Sequence, residues 1–142
     1  MLSRRSLLQA LAMTRAMAGV MAGVMTGLLA GAPAGAAERA DYSAAAFDAA
    51  QQAGRPILVE IHASWCPTCK AQTPILADIE QQPDYKNLLV VHVDFDTQKD
   101  AVTRFGARMQ STLIAFKGKQ ETGRSVGDTN PTSLAALVAK TI

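Results

Sequence analysis

Apolar and polar positions divide this chain into short, nearly unbroken apolar runs separated by segments with helical spacing, a pattern of strands alternating with helices. Arg55-Pro56-Ile57-Leu58-Val59-Glu60-Ile61-His62 reads as a buried strand. Asn87-Leu88-Leu89-Val90-Val91-His92-Val93-Asp94-Phe95 is a second, rich in β-branched residues and bounded by turn residues. Thr112 to Phe116 and Thr122 to Val126 flank Lys117-Gly118-Lys119-Gln120 and predict a hairpin. Helices are predicted over Ser43 to Ala53, with Ser43 as N-cap, Phe47 as apolar anchor and Gly54 as the stop. Further helices are predicted over Pro67 to Gln82, over Gln98 to Phe105 before Gly106, and from Pro131 through Lys140. Strand, helix, strand in this order requires a right-handed parallel crossover.

Residues before about Glu38 stand outside this pattern. Five of the six methionines and five of the ten glycines fall there, and no charge occurs from Ala16 to Ala37, whereas Arg4, Arg5 and Arg15 precede the apolar run. A basic start, an apolar stretch and small residues at Ala34-Gly35-Ala36 predict a signal peptide over residues 1–37 and a mature domain over 38–142. Ser3-Arg4-Arg5-Ser6-Leu7-Leu8 resembles a twin-arginine export motif, which a Gly/Ala-rich core suits. Arg15 interrupts the apolar region, so its core begins at Ala16, or the chain starts at Met13. The rival reading is an uncleaved anchor: the run exceeds the ~20 residues a membrane span needs. Gly19, Gly23, Gly27 and Gly31 also recur at the spacing of a helix-packing face. Membrane contact is expected only in that case, and both readings put the domain outside the cytoplasm, in the periplasm or an equivalent space.

Loss of the leader changes the charge. Without Arg4, Arg5 and Arg15 the 14 Lys and Arg fall to 11 against 12 Asp and Glu, a net charge near −1. No basic stripe interleaved with aromatics remains, so no nucleic-acid partner is expected. Roughly 105 residues suffice for one compact domain, and the chain shows neither an internal repeat nor a second-domain linker.

The two cysteines of the chain, Cys66 and Cys69, lie in Trp65-Cys66-Pro67-Thr68-Cys69. With nothing else to bond to, they are either a working dithiol or a metal clip. A structural disulfide closing so short a loop gains little chain entropy. The pair sits where the strand ending at His62 gives way to the helix starting at Pro67. Unpaired N–H groups and the dipole of a helix N-terminus stabilise negative charge there. Cys66 is therefore expected to be the nucleophilic thiolate, with Cys69, a turn deeper, as the shielded resolving thiol.

Ile57-Leu58-Val59-Glu60-Ile61-His62-Ala63-Ser64-Trp65-Cys66-Pro67-Thr68-Cys69-Lys70 resembles the active-site strand and helix of the thioredoxin superfamily. Pro74 resembles the proline that kinks that helix, Val93-Asp94-Phe95-Asp96 its third-strand motif, and Phe116 to Gly127 keeps the spacing of its terminal hairpin. The resemblance covers about Tyr42 to Ile142. It implies an α/β thioredoxin fold, with a central mixed sheet flanked by helices on both faces. It also implies thiol–disulfide oxidoreductase activity on protein thiols and disulfides, with no cofactor and no metal. Trp65, Pro67, Ser111 and Thr112 are expected to contact substrate. Glu60 matches the buried acid beneath the resolving cysteine, and His92 the position of the lysine paired with that acid. Burial should raise the Glu60 pKa and let it take the Cys69 proton.

One departure stands out. Most members of the superfamily place a cis-proline opposite the two cysteines, and this chain has Ser111 there. A cis bond without proline costs ~2.5–4 kcal/mol, so a trans peptide is expected. The Ser111 hydroxyl could bond a cysteine sulfur, or the missing ring could leave room for a metal or iron–sulfur ligand set. His62 with Cys66 and Cys69 could supply three zinc ligands, though no fourth is evident. Lys70 reads as a solvated helix residue, and Asp94, Asp96 and Asp100 lack the glycine and terminal Glu of a calcium loop.

The function expected is an exported thiol–disulfide oxidoreductase, more readily a reductant fed by a membrane electron donor, since the chain lacks the inserted helical domain of dedicated oxidants. Two alternatives of other classes stand beside it. One is a metal or iron–sulfur module using the same cysteines, and the other is a redox-inert binding domain that keeps the fold.

Overall fold

A computed structural model describes residues 36–142 of the chain. All but the last two residues of the predicted leader, with its twin-arginine motif and its glycine repeat, lie outside the described residues.

Five strands and four α-helices follow in the order β1 (Glu38–Asp41), α1 (Ala44–Gln52), β2 (Pro56–His62), α2 (Pro67–Glu80), β3 (Leu89–Asp94), α3 (Lys99–Arg104), β4 (Thr112–Lys117), β5 (Gln120–Val126) and α4 (Pro131–Val138). Short 3-10 turns occupy Pro83–Tyr85 and Ala139–Thr141. The sheet order is β1-β3-β2-β4-β5. β1 and β2 both run parallel to β3, whereas β4 is antiparallel to β2 and β5 to β4. The sheet is therefore mixed, with the expected parallel crossover through α2 and the expected terminal hairpin. Gly118 makes the hairpin turn possible, because its φ of 56° is left-handed backbone that glycine adopts without a Cβ clash.

Side chains alternate across the sheet and build two cores. Ile57, Val59, Ile61, Val91, Val93 and Ile114 meet Phe47 of α1 and Val102 of α3 on one face. Leu58, Val90, Leu113 and Ala115 meet Leu76 of α2 and Leu134 of α4 on the other. β2 and β4 are buried along almost their whole length, which explains their near-continuous apolar sequence. β1 is an addition to the sequence reading. Its four residues are mostly exposed, and it is held by pairing Glu38 to Leu89 through Asp41 to His92. Ser43 does precede α1, but its side chain makes no cap hydrogen bond.

Candidate active site

β2 ends at His62 and α2 begins at Pro67, so the chain between them crosses the carboxyl end of the parallel strands, where open α/β sheets carry their sites. Cys66 is the N-cap of α2, with extended backbone (φ −78°, ψ 114°). Its Sγ accepts the Cys69 backbone N–H at 3.0 Å, the bond a Ser or Asp side chain ordinarily makes at this position. Pro67 follows at the first helical position, is exposed, and has no N–H to leave unpaired. Both cysteines are free and each is 1 % exposed. Cys69 was expected to be shielded, but Cys66 is equally so. Capping folds its sulfur back over the first turn of the helix, into a small cluster with Ala63, Cys69 and Phe95.

Burial, then the hydrogen bond to the Cys66 sulfur, pushes the Cys69 thiol up to about 11, while backbone hydrogen bonds from Ala63 and Ser111 act in the opposite direction. The resolving thiol is therefore protonated at neutral pH until a base takes its proton. Trp65 stands at the rim, 57 % exposed, with its indole Nε1 donating to Asp96 Oδ2 at 2.7 Å. That bond holds an apolar ring at the surface beside the dithiol.

Glu60 lies on β2, on the sheet face that α2 covers, and is 2 % exposed. Arg39 of β1 donates from Nη1 to its Oε2 at 3.1 Å, and His92 Nδ1 stands 3.8 Å away, an ion-contact distance. The same guanidinium grips Glu80 of α2 through Nε and Nη2, both at 2.7 Å. The expectation of a raised Glu60 pKa is thereby corrected. Burial does push the carboxyl up, but the His92 imidazole and the Arg39 charge outweigh it and hold the carboxyl below its ordinary value. Glu60 is thus an ionised acceptor at neutral pH. His92 was expected as its partner. Arg39 and Glu80 were not, because the first lies on a strand without apolar pattern; the one hint was a glutamate on the buried stripe of α2, beside Ile79.

Ser111 is buried opposite the dithiol, and its φ of 55° makes it the one non-glycine residue with positive φ among those described. Its hydroxyl donates to the Gln110 carbonyl at 2.6 Å, not to a cysteine sulfur, which corrects that expectation. Thr112 is buried at the start of β4, and its Oγ1 donates to the Met109 carbonyl at 2.8 Å. His62 packs against His92 with ring centroids 5.0 Å apart. Among the described residues no three His, Cys, Asp or Glu side chains stand together as a metal ion requires, so His62, Cys66 and Cys69 do not form a ligand set.

The arrangement is a buried dithiol at a helix N-terminus beneath an exposed tryptophan, with an ionised acid on the neighbouring strand. The family model described as Thioredoxin matches residues 39–140. The chain belongs to the thioredoxin family. Among curated relatives, the thioredoxin of Synechocystis sp. is 34 % identical over 85 residues, covering 60 % of this chain and 78 % of that protein. The thioredoxin of Chlamydia muridarum is 36 % identical over 84 residues, covering 59 % of this chain and 80 % of its own. Among solved structures, Trxlp from Edwardsiella tarda is 44 % identical with a TM-score of 0.70, covering 71 % of this chain and 98 % of that one. As a member of the thioredoxin family the protein is a thiol–disulfide oxidoreductase, and proteins bearing thiols or disulfides are the substrate class of that family.

Proposed function

We propose that this thioredoxin-family protein is exported and reduces protein disulfides through Cys66 and Cys69, drawing electrons from a dithiol donor at the membrane. The observation that carries the chemistry is the 3.0 Å contact of Cys66 Sγ with the Cys69 N–H in the first turn of α2. A thiolate held there is stabilised by the amide and the helix dipole. It attacks one sulfur of the substrate disulfide, that S–S bond breaks, and the departing sulfur leaves as a thiolate. The mixed disulfide removes negative charge from Cys66, so the Cys66 contribution that raises the Cys69 pKa disappears. A base then takes the Cys69 proton, its sulfur attacks Cys66 Sγ, and the second substrate sulfur departs. Two electrons pass to the substrate and the protein is left with a Cys66–Cys69 disulfide. The donor must return those two electrons.

Export is supported by the leader, and the reductive direction by an element order without an inserted helical domain. Redox titration against glutathione tests the direction. The potential should fall nearer the about −270 mV of thioredoxin than the about −120 mV of a strong periplasmic oxidant, and a value at the oxidising end would reject reduction.

A further inference from the structure

Two departures from ordinary folding economy meet beside Cys69. Gln72 is 0 % exposed, on the same buried stripe of α2 as Cys69, and its Oε1 has no hydrogen-bond partner. Its Nε2 donates to the Asp128 carbonyl at 2.8 Å and, more weakly, to the Ser111 carbonyl at 3.4 Å. Both neighbours on that side are acceptors, so only the nitrogen can face them and the oxygen is left in the interior. A buried unpaired carbonyl is costly, and an apolar residue of the same length would avoid that cost. The second departure is the left-handed backbone of Ser111, a conformation that a residue with a Cβ adopts only when its surroundings impose it.

The Ser111 carbonyl explains how it is imposed. It accepts the Gly127 N–H at 2.9 Å as well as the Gln72 amide, so the loops before β4 and after β5 are tied to one another and to α2 through one oxygen. The neighbouring Met109 and Gln110 carbonyls are taken by the Thr112 and Ser111 hydroxyls. Where a proline ring would stiffen this segment, the chain instead fixes it by hydrogen bonds from the active-site helix. Gln72 lies three residues beyond Cys69 on the same buried stripe of α2, so the Ser111 main chain it anchors is a neighbour of the Cys69 thiol, whose pKa that backbone lowers.

We propose that Gln72 is a positioning residue for disulfide exchange: by anchoring Ser111 and Asp128 from α2, it holds the Ser111 main chain against Cys69 and so governs the resolving step. The inference rests on the exchange chemistry proposed above. The titratable groups around this segment include Cys66, Glu60 with Arg39, Glu80 and His92, His62 with its register neighbour Asp94, and Asp128, whose carboxylate is held down by the Ser133 hydroxyl and the Asn130 N–H. Of these, Cys66 is the one that hydrogen-bonds Cys69.

Gln72→Leu removes both donors at similar volume and buries no orphan oxygen. Stopped-flow reaction of full-length variants with oxidised glutathione, followed by Trp65 fluorescence, separates attack by Cys66 from resolution by Cys69. Attack should change less than about twofold, while the pH profile of resolution should move to higher pH and that step slow about threefold at pH 7. An unshifted profile at wild-type rate would overturn the proposal. Gln72→Met, of similar length and likewise without a donor, should behave as Gln72→Leu. Should the variants fail to fold, hydrogen exchange of the Gln72 carboxamide in the wild-type dithiol form decides. Protection at least a hundredfold above that of a free glutamine supports the anchor, and exchange at the free rate rejects it. Absence of any attack phase in the wild type would instead reject the exchange role while leaving the carboxamide measurement to judge the anchor.

Discussion

Arg39 on the edge strand reaches Glu60 on the central strand at 3.1 Å, so a residue at the very start of the domain supplies the counter-charge of the buried acid beneath the active-site helix. Its fork also holds Glu80, and Arg39→Met leaves two buried carboxylates without that partner. Arg39 itself is partly exposed, which discounts the pair; a loss of about 1–3 kcal/mol is expected. The sign follows from the depressed Glu60 pKa. Such a group adds stability above its ordinary value near 4.5 and loses it as pH falls through the folded value. Urea unfolding at pH 7 and pH 3 should therefore show a larger difference between wild type and Arg39→Met at pH 7. Equal differences at both would remove the ion pair from the account.

His92 responds in the opposite sense. The Glu60 carboxylate raises its pKa above 6.5, more than burial lowers it. Its contribution to stability is complete below pH 6.5 and disappears as pH rises through the folded value. His92→Gln should flatten the decline of the unfolding midpoint above pH 6.5. In Glu60→Gln the same decline should vanish with His92 intact, and its persistence there would show that another group is titrating.

Glu60 also carries the catalytic expectation. In the proposed exchange Glu60, ionised at neutral pH on the strand beneath α2, is the base assigned to the Cys69 proton. Glu60→Gln keeps the shape and removes the base, so mixed-disulfide resolution should slow by about tenfold or more, with Cys66 attack little changed. If both rate and pH profile matched wild type, Glu60 would be left with a structural role only.

Most of this architecture is legible in the sequence. The apolar runs of β2, β3 and β4 stand out because these strands are buried on both faces, and Pro67 and Pro131 mark the starts of α2 and α4. β1 is not legible, since Glu38-Arg39-Ala40-Asp41 has no apolar alternation and becomes a strand only by pairing with β3. The direction of the Glu60 shift is legible only in part: His92, which lowers it most, is named in the sequence, but the Arg39 charge that adds to it comes from β1, 21 positions away in the chain. Burial of Glu60 alone predicts a raised value, and only the fold reveals what overrides it. Ser111 was visible as an anomaly, but its consequence depends on Gln72, which reads in isolation as an ordinary polar helix residue.

The indole of Trp65, the single tryptophan, is tethered to Asp96 across the mouth of the site. Asp96→Ala frees the ring without touching either sulfur. An apolar contact surface that must be ordered on binding costs affinity, so KM for a protein disulfide should rise about threefold while kcat changes less than about twofold. Trp65 fluorescence anisotropy should fall in parallel. A kcat loss as large as the KM effect would place the tether in the chemical step instead.

The position of leader removal can be tested through the same ion network. The Ala37 N–H bonds the Glu80 carbonyl at 3.1 Å and the Glu38 N–H bonds the Leu88 carbonyl at 2.9 Å, so the residues around the predicted cleavage point are tied to the domain. Mass spectrometry of exported protein should give a mature start near Ala37. A chain beginning at Ala40 has lost half of β1 together with Arg39, and should match Arg39→Met in its unfolding midpoint at pH 7 or fall below it. Wild-type stability in the Ala40 chain would mean that β1 contributes nothing to Glu60. An intact leader in the exported protein would exclude cleavage and favour the anchored form.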